Sequence, residues 1–185
     1  MRVEETSLQG CFIIHDTFFG DSRGYFFESF NRRTFLEKTG LEVDFVQDNQ
    51  SNSQKGVLRG LHFQHGEHAQ AKLVRVLKGK VLDIAVDLRR NSATFGKHVA
   101  VELSDESHTQ FYVPRGFAHG FVVLSEEATF FYKCDNYYNK ASEGGIIYSD
   151  PDLGIDWKMN PAELLLSDKD RVLPPLKDIV HTLQF

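Results

Sequence analysis

Cysteine is scarce in this chain. Cys11 and Cys134 are the only two, too few for a disulfide scaffold and without the spacing of a metal site. Long apolar runs are missing as well, and none approaches the roughly 20 residues that cross a bilayer. The opening segment Met1-Arg2-Val3-Glu4-Glu5-Thr6 has no apolar stretch of the kind that directs secretion. There is no basic patch, and the net charge of -5 is spread along the chain, which argues against a nucleic-acid partner. No internal repeat or low-complexity segment occurs. These absences lead to the expectation of a cytoplasmic protein with reduced thiols that works on neither membrane nor nucleic acid.

What the chain does have is phenylalanine, 16 copies of it in 185 residues. Aromatic residues favour strands and supply large buried faces. The length suits one domain, residues 1–185, with a sizeable core. Short apolar runs alternate with turn signals and predict strands over Cys11–His15, Gly24–Phe30, Asp44–Asp48, Gly56–Gln64, Leu73–Leu77 and Lys80–Asp87. The series continues over His98–Leu103, Gln110–Val113, Gly120–Leu124 and Thr129–Cys134. So many short strands predict an all-β sandwich or barrel. Helix is expected only at Arg32–Lys38 and as a short turn near Pro161–Leu165. From Asp150 onward, Asp-Pro, Asn-Pro and Pro-Pro steps predict a segment that wraps the barrel.

The run Gly56-Val57-Leu58-Arg59-Gly60-Leu61-His62-Phe63-Gln64 sets an arginine and a histidine among apolar residues. Unpaired buried charge is very costly, so both need a purpose. On an ideal strand Arg59 and His62 point to opposite faces. If both serve one pocket the strand must bend, and Gly60 is where a bulge is cheapest. Lys72 heads the next strand and shares a face with Val74 and Val76, which points it inward although the alternation is not clean. Farther on, Tyr132 shares the inward face with Phe130 and Cys134, while Lys133 faces water. A base, a cation and an apolar wall together suggest a pocket for an anionic ligand.

Pro114-Arg115-Gly116-Phe117-Ala118-His119 resembles the second motif of the cupins, and Gly56, His62, Lys72 and Gly79 sit at the spacing of the first. Gln64 stands in place of the second histidine of metal-binding cupins, and Lys72 in place of their carboxylate. An ammonium has no lone pair for a metal, so no metal is expected. The resemblance sharpens to the dTDP-4-dehydrorhamnose 3,5-epimerase family. It is carried by Asp21-Ser22-Arg23-Gly24-Tyr25-Phe26-Phe27-Glu28, Phe45-Val46-Gln47-Asp48-Asn49, the His62 strand, Ala71-Lys72-Leu73-Val74-Arg75-Val76, Tyr132-Lys133-Cys134, Asn136-Tyr137-Tyr138 and Leu166-Ser167-Asp168-Lys169-Asp170. Each is weak alone, and the order over the whole length is specific. The family implies a cupin-type double-sheeted barrel (a jelly roll) with a few short helices, a homodimer and no cofactor.

The resemblance also implies roles. The substrate would be a dTDP-4-keto-6-deoxy sugar whose C3 and C5 protons flank the ketone. Removing either gives an enolate, and reprotonation from the other face inverts the centre. That takes a base, an acid on the opposite face and a positive group at the enolate oxygen. His62 is implied as base, Tyr132 as acid, Asp170 as the partner of His62 and Lys72 as the group at the oxyanion. Arg23, Arg59 and Lys169 would meet the diphosphate. Gln47, Asn49, Glu28, His119 and Glu143 would hydrogen-bond substrate, and Tyr138 would stack on thymine. Arg23 and Glu28 are expected to act across the dimer.

Other readings stay open at this level. A 3-epimerase, a 5-epimerase or a 3,4-ketoisomerase of another dTDP sugar could carry the same residues, since the difference lies in substrate pose. A non-catalytic sugar-nucleotide binder would keep the arginines without a His–Asp pair. A metal-dependent cupin enzyme would use His62 and His119 as ligands. Asp168 rivals Asp170 as the partner of His62, and the match of Leu166-Ser167 to the family motif selects Asp170. His65 and His68 are expected to be solvated, and Arg75 to be a surface or ion-pair residue.

Overall fold

The computed structural model describes residues 1–185 and has two antiparallel sheets packed face to face. In chain order the strands are β1 (Arg2–Glu5), β2 (Phe12–His15), β3 (Phe19–Asp21), β4 (Gly24–Phe26), β5 (Gln47–Gln54), β6 (Leu58–Gln64), β7 (Lys72–Lys78) and β8 (Lys80–Asp87). They continue as β9 (His98–Ser104), β10 (Thr109–Val113), β11 (Phe117–Val123), β12 (Glu127–Cys134) and β13 (Glu143–Gly145). The helices are α1 (Arg32–Thr39), α2 (Asp168–Arg171) and α3 (Leu176–Ile179). One sheet runs β1-β2-β10-β7-β12-β5 and the other β13-β6-β11-β8-β9. This is the expected double-sheeted jelly roll.

Three apolar layers follow from strand parity. Val74, Val76, Val81, Ala85, Phe111, Phe121 and Phe130 fill the space between the sheets. The second sheet buries its outer face, including Leu61, Leu82, Ile84 and Val122, under Trp157, Leu164, Leu176 and Leu183 of the C-terminal segment. That segment therefore wraps the barrel as the proline steps predict. The first sheet covers Leu73 and Tyr112 with Phe35 of α1. This outer layer explains the imperfect alternation of β7, since Leu73 and Val74 are both buried, one on each side. α1 starts at Asn31, whose side chain accepts from the Thr34 N–H at 3.2 Å, and stops at Gly40 with φ 72°.

Two strand expectations need correction. The stretch predicted as Gly24–Phe30 is strand only over Gly24–Phe26, where it pairs with β3 in a separate two-stranded ribbon. Phe19, Tyr25 and Phe26 there are exposed, so no sheet face lies beneath them to prolong the strand. The strand predicted at Asp44–Asp48 lies instead at Gln47–Gln54. Its sequence, QDNQSNSQ, has no apolar residue to betray a period of two, yet Gln47, Asn49, Ser51 and Ser53 alternate inward. They face a polar cavity, so the inward side of this strand is itself polar.

β6 contains the bend its sequence calls for. His119 of β11 pairs with His62 and Phe121 pairs with Arg59, so two residues of β6 oppose one of β11 between them. Gly60 at the bulge has φ 137°, and a Cβ there would meet the Gly120 Cα at 2.6 Å and the His119 carbonyl oxygen at 3.0 Å. Glycine is thus required twice over, by dihedral and by contact. Gly60→Ala should cost about 3 kcal/mol or more through strain and overpacking. Urea unfolding measures this, and an unchanged midpoint contradicts the account.

Candidate functional site

The bulge turns Arg59 and His62 to the same side, where a cavity of about 600 Å³ opens between the sheets. Arg59, His62 and His119 enter it from the β6–β11 side, and Lys72 and Tyr132 from β7 and β12. Lys169 and Asp170 arrive from the C-terminal wrap. A second lobe of about 250 Å³ shares Asn49, His62, Lys72 and Tyr132 with the first and adds Gln47, Gln64, Tyr138 and Glu143. The four shared side chains mark the junction of the two lobes.

Asp170 reaches His62 because the wrap is stitched to the start of β6. Leu58 N–H donates to the Leu165 carbonyl at 3.0 Å and Leu165 N–H to the Gly56 carbonyl at 2.8 Å. Ser167 then caps α2, accepting from the Asp170 N–H at 3.1 Å. Asp170 is the one buried residue of that turn, while Asp168 and Lys169 are exposed, so the choice between the two aspartates is resolved. The Asp170 Oδ1 lies 2.6 Å from the His62 Nε2.

The other groups sit in contrasting environments. Burial pushes the Tyr132 phenol up to about 12, so it holds its proton at neutral pH. Burial lowers Lys72, and Cys134, Asp83 and Glu143 counter this through space rather than through a hydrogen bond. Its Nζ stands 5.8 Å from the centre of the Tyr132 ring. Glu143 is also desolvated, yet its carboxyl is held low by Lys169 at 2.5 Å and by the Tyr138 hydroxyl, which donates to it at 3.2 Å.

Two contributors escape sequence reading. Asp83 of β8 is fully buried, and both its carboxylate oxygens meet the His119 Nε2, at 2.8 and 3.0 Å. Burial raises the Asp83 carboxyl, with the charge and hydrogen bond of His119 and then Lys72 pulling against it. An aspartate on a strand next to a motif histidine was the available signal. Ser53 of β5 accepts from the Arg59 Nε and Nη2 at 3.2 and 3.1 Å and so aims the guanidinium. Nothing in its sequence context marks it.

Several expected residues lie elsewhere. Arg23 pairs with Asp21 at 2.6 Å on the exposed ribbon, and Glu28 accepts from Asn31 at 3.2 Å, so neither lines the cavity of its own chain. His65 and His68 are not merely solvated. His65 stacks on Phe185 with its Nδ1 buried and unpartnered, and the His68 Nε2 lies 2.9 Å from the Asn139 Nδ2. Arg75 lies 4.9 Å from the Phe27 ring centre, a cation–π contact in place of an ion pair. No group of three or more His, Cys, Asp or Glu side chains is placed to hold a metal ion.

A jelly roll holding a His–Asp pair, a lysine and a phenol around one cavity is a cupin-type scaffold with titratable side chains gathered at its centre. The sequence model of the dTDP-4-dehydrorhamnose 3,5-epimerase family matches residues 5–178, and the chain belongs to that family. It is 51% identical over 182 residues to the dTDP-4-dehydrorhamnose 3,5-epimerase of Salmonella typhimurium, covering 98% of this chain and 99% of that one. The crystal structure of the Elizabethkingia anophelis dTDP-4-dehydrorhamnose 3,5-epimerase superimposes with a TM-score of 0.93 at 60% identity, covering 96% of this chain and 97% of that one. A Legionella pneumophila dTDP-6-deoxy-D-glucose-3,5-epimerase in complex with dTDP-4-keto-L-rhamnose gives 0.95 at 47% identity, covering 100% and 98%.

The His62–Asp170 contact has a pH signature. Burial alone would raise Asp170, but the hydrogen bond and charge of His62, then Ser167 and the Gly60 N–H, bring it below the ordinary carboxylate value. A carboxyl lowered on folding stabilises the fold above the unfolded pKa of about 3.9 and loses that contribution as pH falls through its lower folded value. Asp170→Asn should therefore flatten the acid limb of stability below about pH 4. Urea titrations across that range test this, and an unaltered acid slope in the variant contradicts it.

Proposed function

We propose that this enzyme inverts C3 and C5 of dTDP-4-dehydro-6-deoxy-D-glucose, yielding dTDP-4-dehydro-L-rhamnose for dTDP-L-rhamnose biosynthesis. The observation that carries the reading is that His62 and Tyr132 come from different sheets onto opposite walls of one cavity, with Lys72 at the same junction. His62 takes the proton from the carbon next to the ketone, and the electron pair moves onto the C4 oxygen. The Lys72 ammonium stabilises that enolate. Tyr132 then delivers its proton to the opposite face of the same carbon, and the ketone re-forms. Asp170 orients the His62 ring and stabilises it once protonated. His62 then releases its proton to water and Tyr132 regains one from water, and the cycle repeats at the second carbon after the sugar adjusts.

Arg59 and Lys169 hold the diphosphate. Tyr138 supports the thymine ring, with Gln47, Asn49, His119 and Glu143 as hydrogen-bonding groups around the substrate. The working unit is a homodimer of the 1–185 domain, in which Arg23 and Glu28 complete the partner's nucleotide site. In support, Phe19, Tyr25 and Phe26 are 65%, 61% and 71% exposed on the same ribbon as Arg23, an apolar edge that needs cover. The buried free thiols of Cys11 and Cys134 fit a reducing, cytoplasmic setting.

The assay is turnover of dTDP-4-dehydro-6-deoxy-D-glucose, coupled to a reductase that accepts only the doubly inverted product. His62→Ala should stop proton exchange at both carbons and Tyr132→Phe should lower product formation, each by about a hundred- to ten-thousandfold. Tyr132→Phe should retain exchange at one carbon, because the base remains. Inversion of both centres by Tyr132→Phe at the wild-type rate would assign the acid to another group. Arg59→Ala should weaken dTDP binding by on the order of tenfold or more, since it removes a charge-assisted fork. Sedimentation should show a two-subunit particle at assay concentrations, and a fully active monomer would sink the dimer.

A further inference from the structure

The loop that carries Tyr138 is suspended from side-chain amides. Three consecutive backbone N–H groups each donate to one: Tyr137 to the Asn136 Oδ1 at 2.9 Å, Tyr138 to the Gln47 Oε1 at 3.0 Å, and Asn139 to the Gln64 Oε1 at 2.6 Å. The Gln64 Nε2 also donates to the carbonyls of His68 at 3.1 Å and Tyr137 at 3.5 Å. Gln64 is only 6% exposed, and both ends of its amide are spent on backbone groups of two loops. It leaves β6 two residues after His62 and lies opposite Glu143 in the ladder with β13. One rigid strand thus bears the base and the strut of the loop that holds Tyr138.

Tyr138 itself needs such support. It is 53% exposed, so packing does little to hold its ring. Its backbone N–H on Gln47 and its hydroxyl on Glu143 are its polar anchors. A flat aromatic surface binds a planar ring well only if its pose is set before the ligand arrives. We propose that Gln64 is a positioning residue that pre-orders the Tyr137–Asn139 loop for the nucleobase, and so governs affinity for the nucleoside end of the substrate independently of its phosphates. This rests on the reading of Tyr138 as the thymine platform. Gln64 differs from Gln47 in that its Nε2 donates twice, to two backbone carbonyls, whereas the Gln47 Nε2 donates once, to the Asn49 Oδ1 at 3.1 Å.

The test compares binding of dTDP and of inorganic pyrophosphate by calorimetry. Gln64→Met keeps the volume and removes both polar ends. Gln64→Glu keeps the acceptor for Asn139 N–H but sets a carboxylate against the His68 and Tyr137 carbonyls, and it serves if the first variant does not unfold cooperatively. Either should weaken dTDP by on the order of tenfold, as expected for a buried hydrogen-bonded strut, and leave pyrophosphate unchanged. Tyr138→Ala should do the same, and combining it with Gln64→Met should add little, because both remove one platform. Equal weakening of dTDP and pyrophosphate, or full additivity with Tyr138→Ala, overturns the inference. So does normal dTDP binding by both Gln64 variants while Tyr138→Ala weakens it. If Tyr138→Ala itself leaves dTDP affinity intact, the stacking assignment fails first, and the role of Gln64 falls with it.

Discussion

The close approach of Gly60 to Gly120 is the contact on which the site depends. Two backbones meet there with no room for a Cβ on either. That contact admits the bulge, and the bulge brings Arg59 to the inner face beside His62 without reversing the rest of β6. Leu61 and Phe63 can then stay in the outer apolar layer while their neighbours serve the cavity. A regular strand would place either the arginine or the histidine in that apolar layer, where a charge has no partner. Arg59 and His62, the proposed phosphate anchor and base, are therefore positioned by a single backbone irregularity.

A second constraint is the cost of keeping charged groups inside a barrel of phenylalanine and valine. The structure meets it by giving all but one of these groups a partner of its own. His62 and His119 each have a buried aspartate, from the C-terminal wrap and from β8 respectively. Arg59 rests on Ser53, and Lys169 on Glu143. Lys72 has through-space support only, and Tyr132 stays neutral. In the proposed reaction an ammonium with no partner of its own meets the anion that forms, and a phenol that keeps its proton gives it up to carbon. The same interior that makes these groups costly strengthens their action on a bound sugar.

The strands with apolar periods were legible because their period reports burial directly: β8 is predicted and observed at Lys80–Asp87. The inward placement of Lys72 and Tyr132 followed from parity alone, and the bend at Gly60 from the conflict between Arg59 and His62. Family motifs supplied the roles, and they also separated Asp170 from Asp168, which spacing could not do. What stayed hidden was polar and non-local. β5 has no apolar face because it lines the cavity, so its alternation carries no hydrophobic signal. Asp83 meets His119 across 36 residues of sequence, and Ser53, although only 6 residues from Arg59, sits in a polar run that marks no face. Gln64 read as a lost metal ligand, and its hold on the Tyr138 loop appears only once the two loops are seen side by side.

In the proposed mechanism one base at the lobe junction serves both carbons beside the ketone. Turnover in deuterium oxide, followed by NMR of the isolated dTDP-sugar product, tests it most directly. The account predicts deuterium at both C3 and C5 with both centres inverted. Deuterium confined to C3, or inversion at C5 without label, would contradict it.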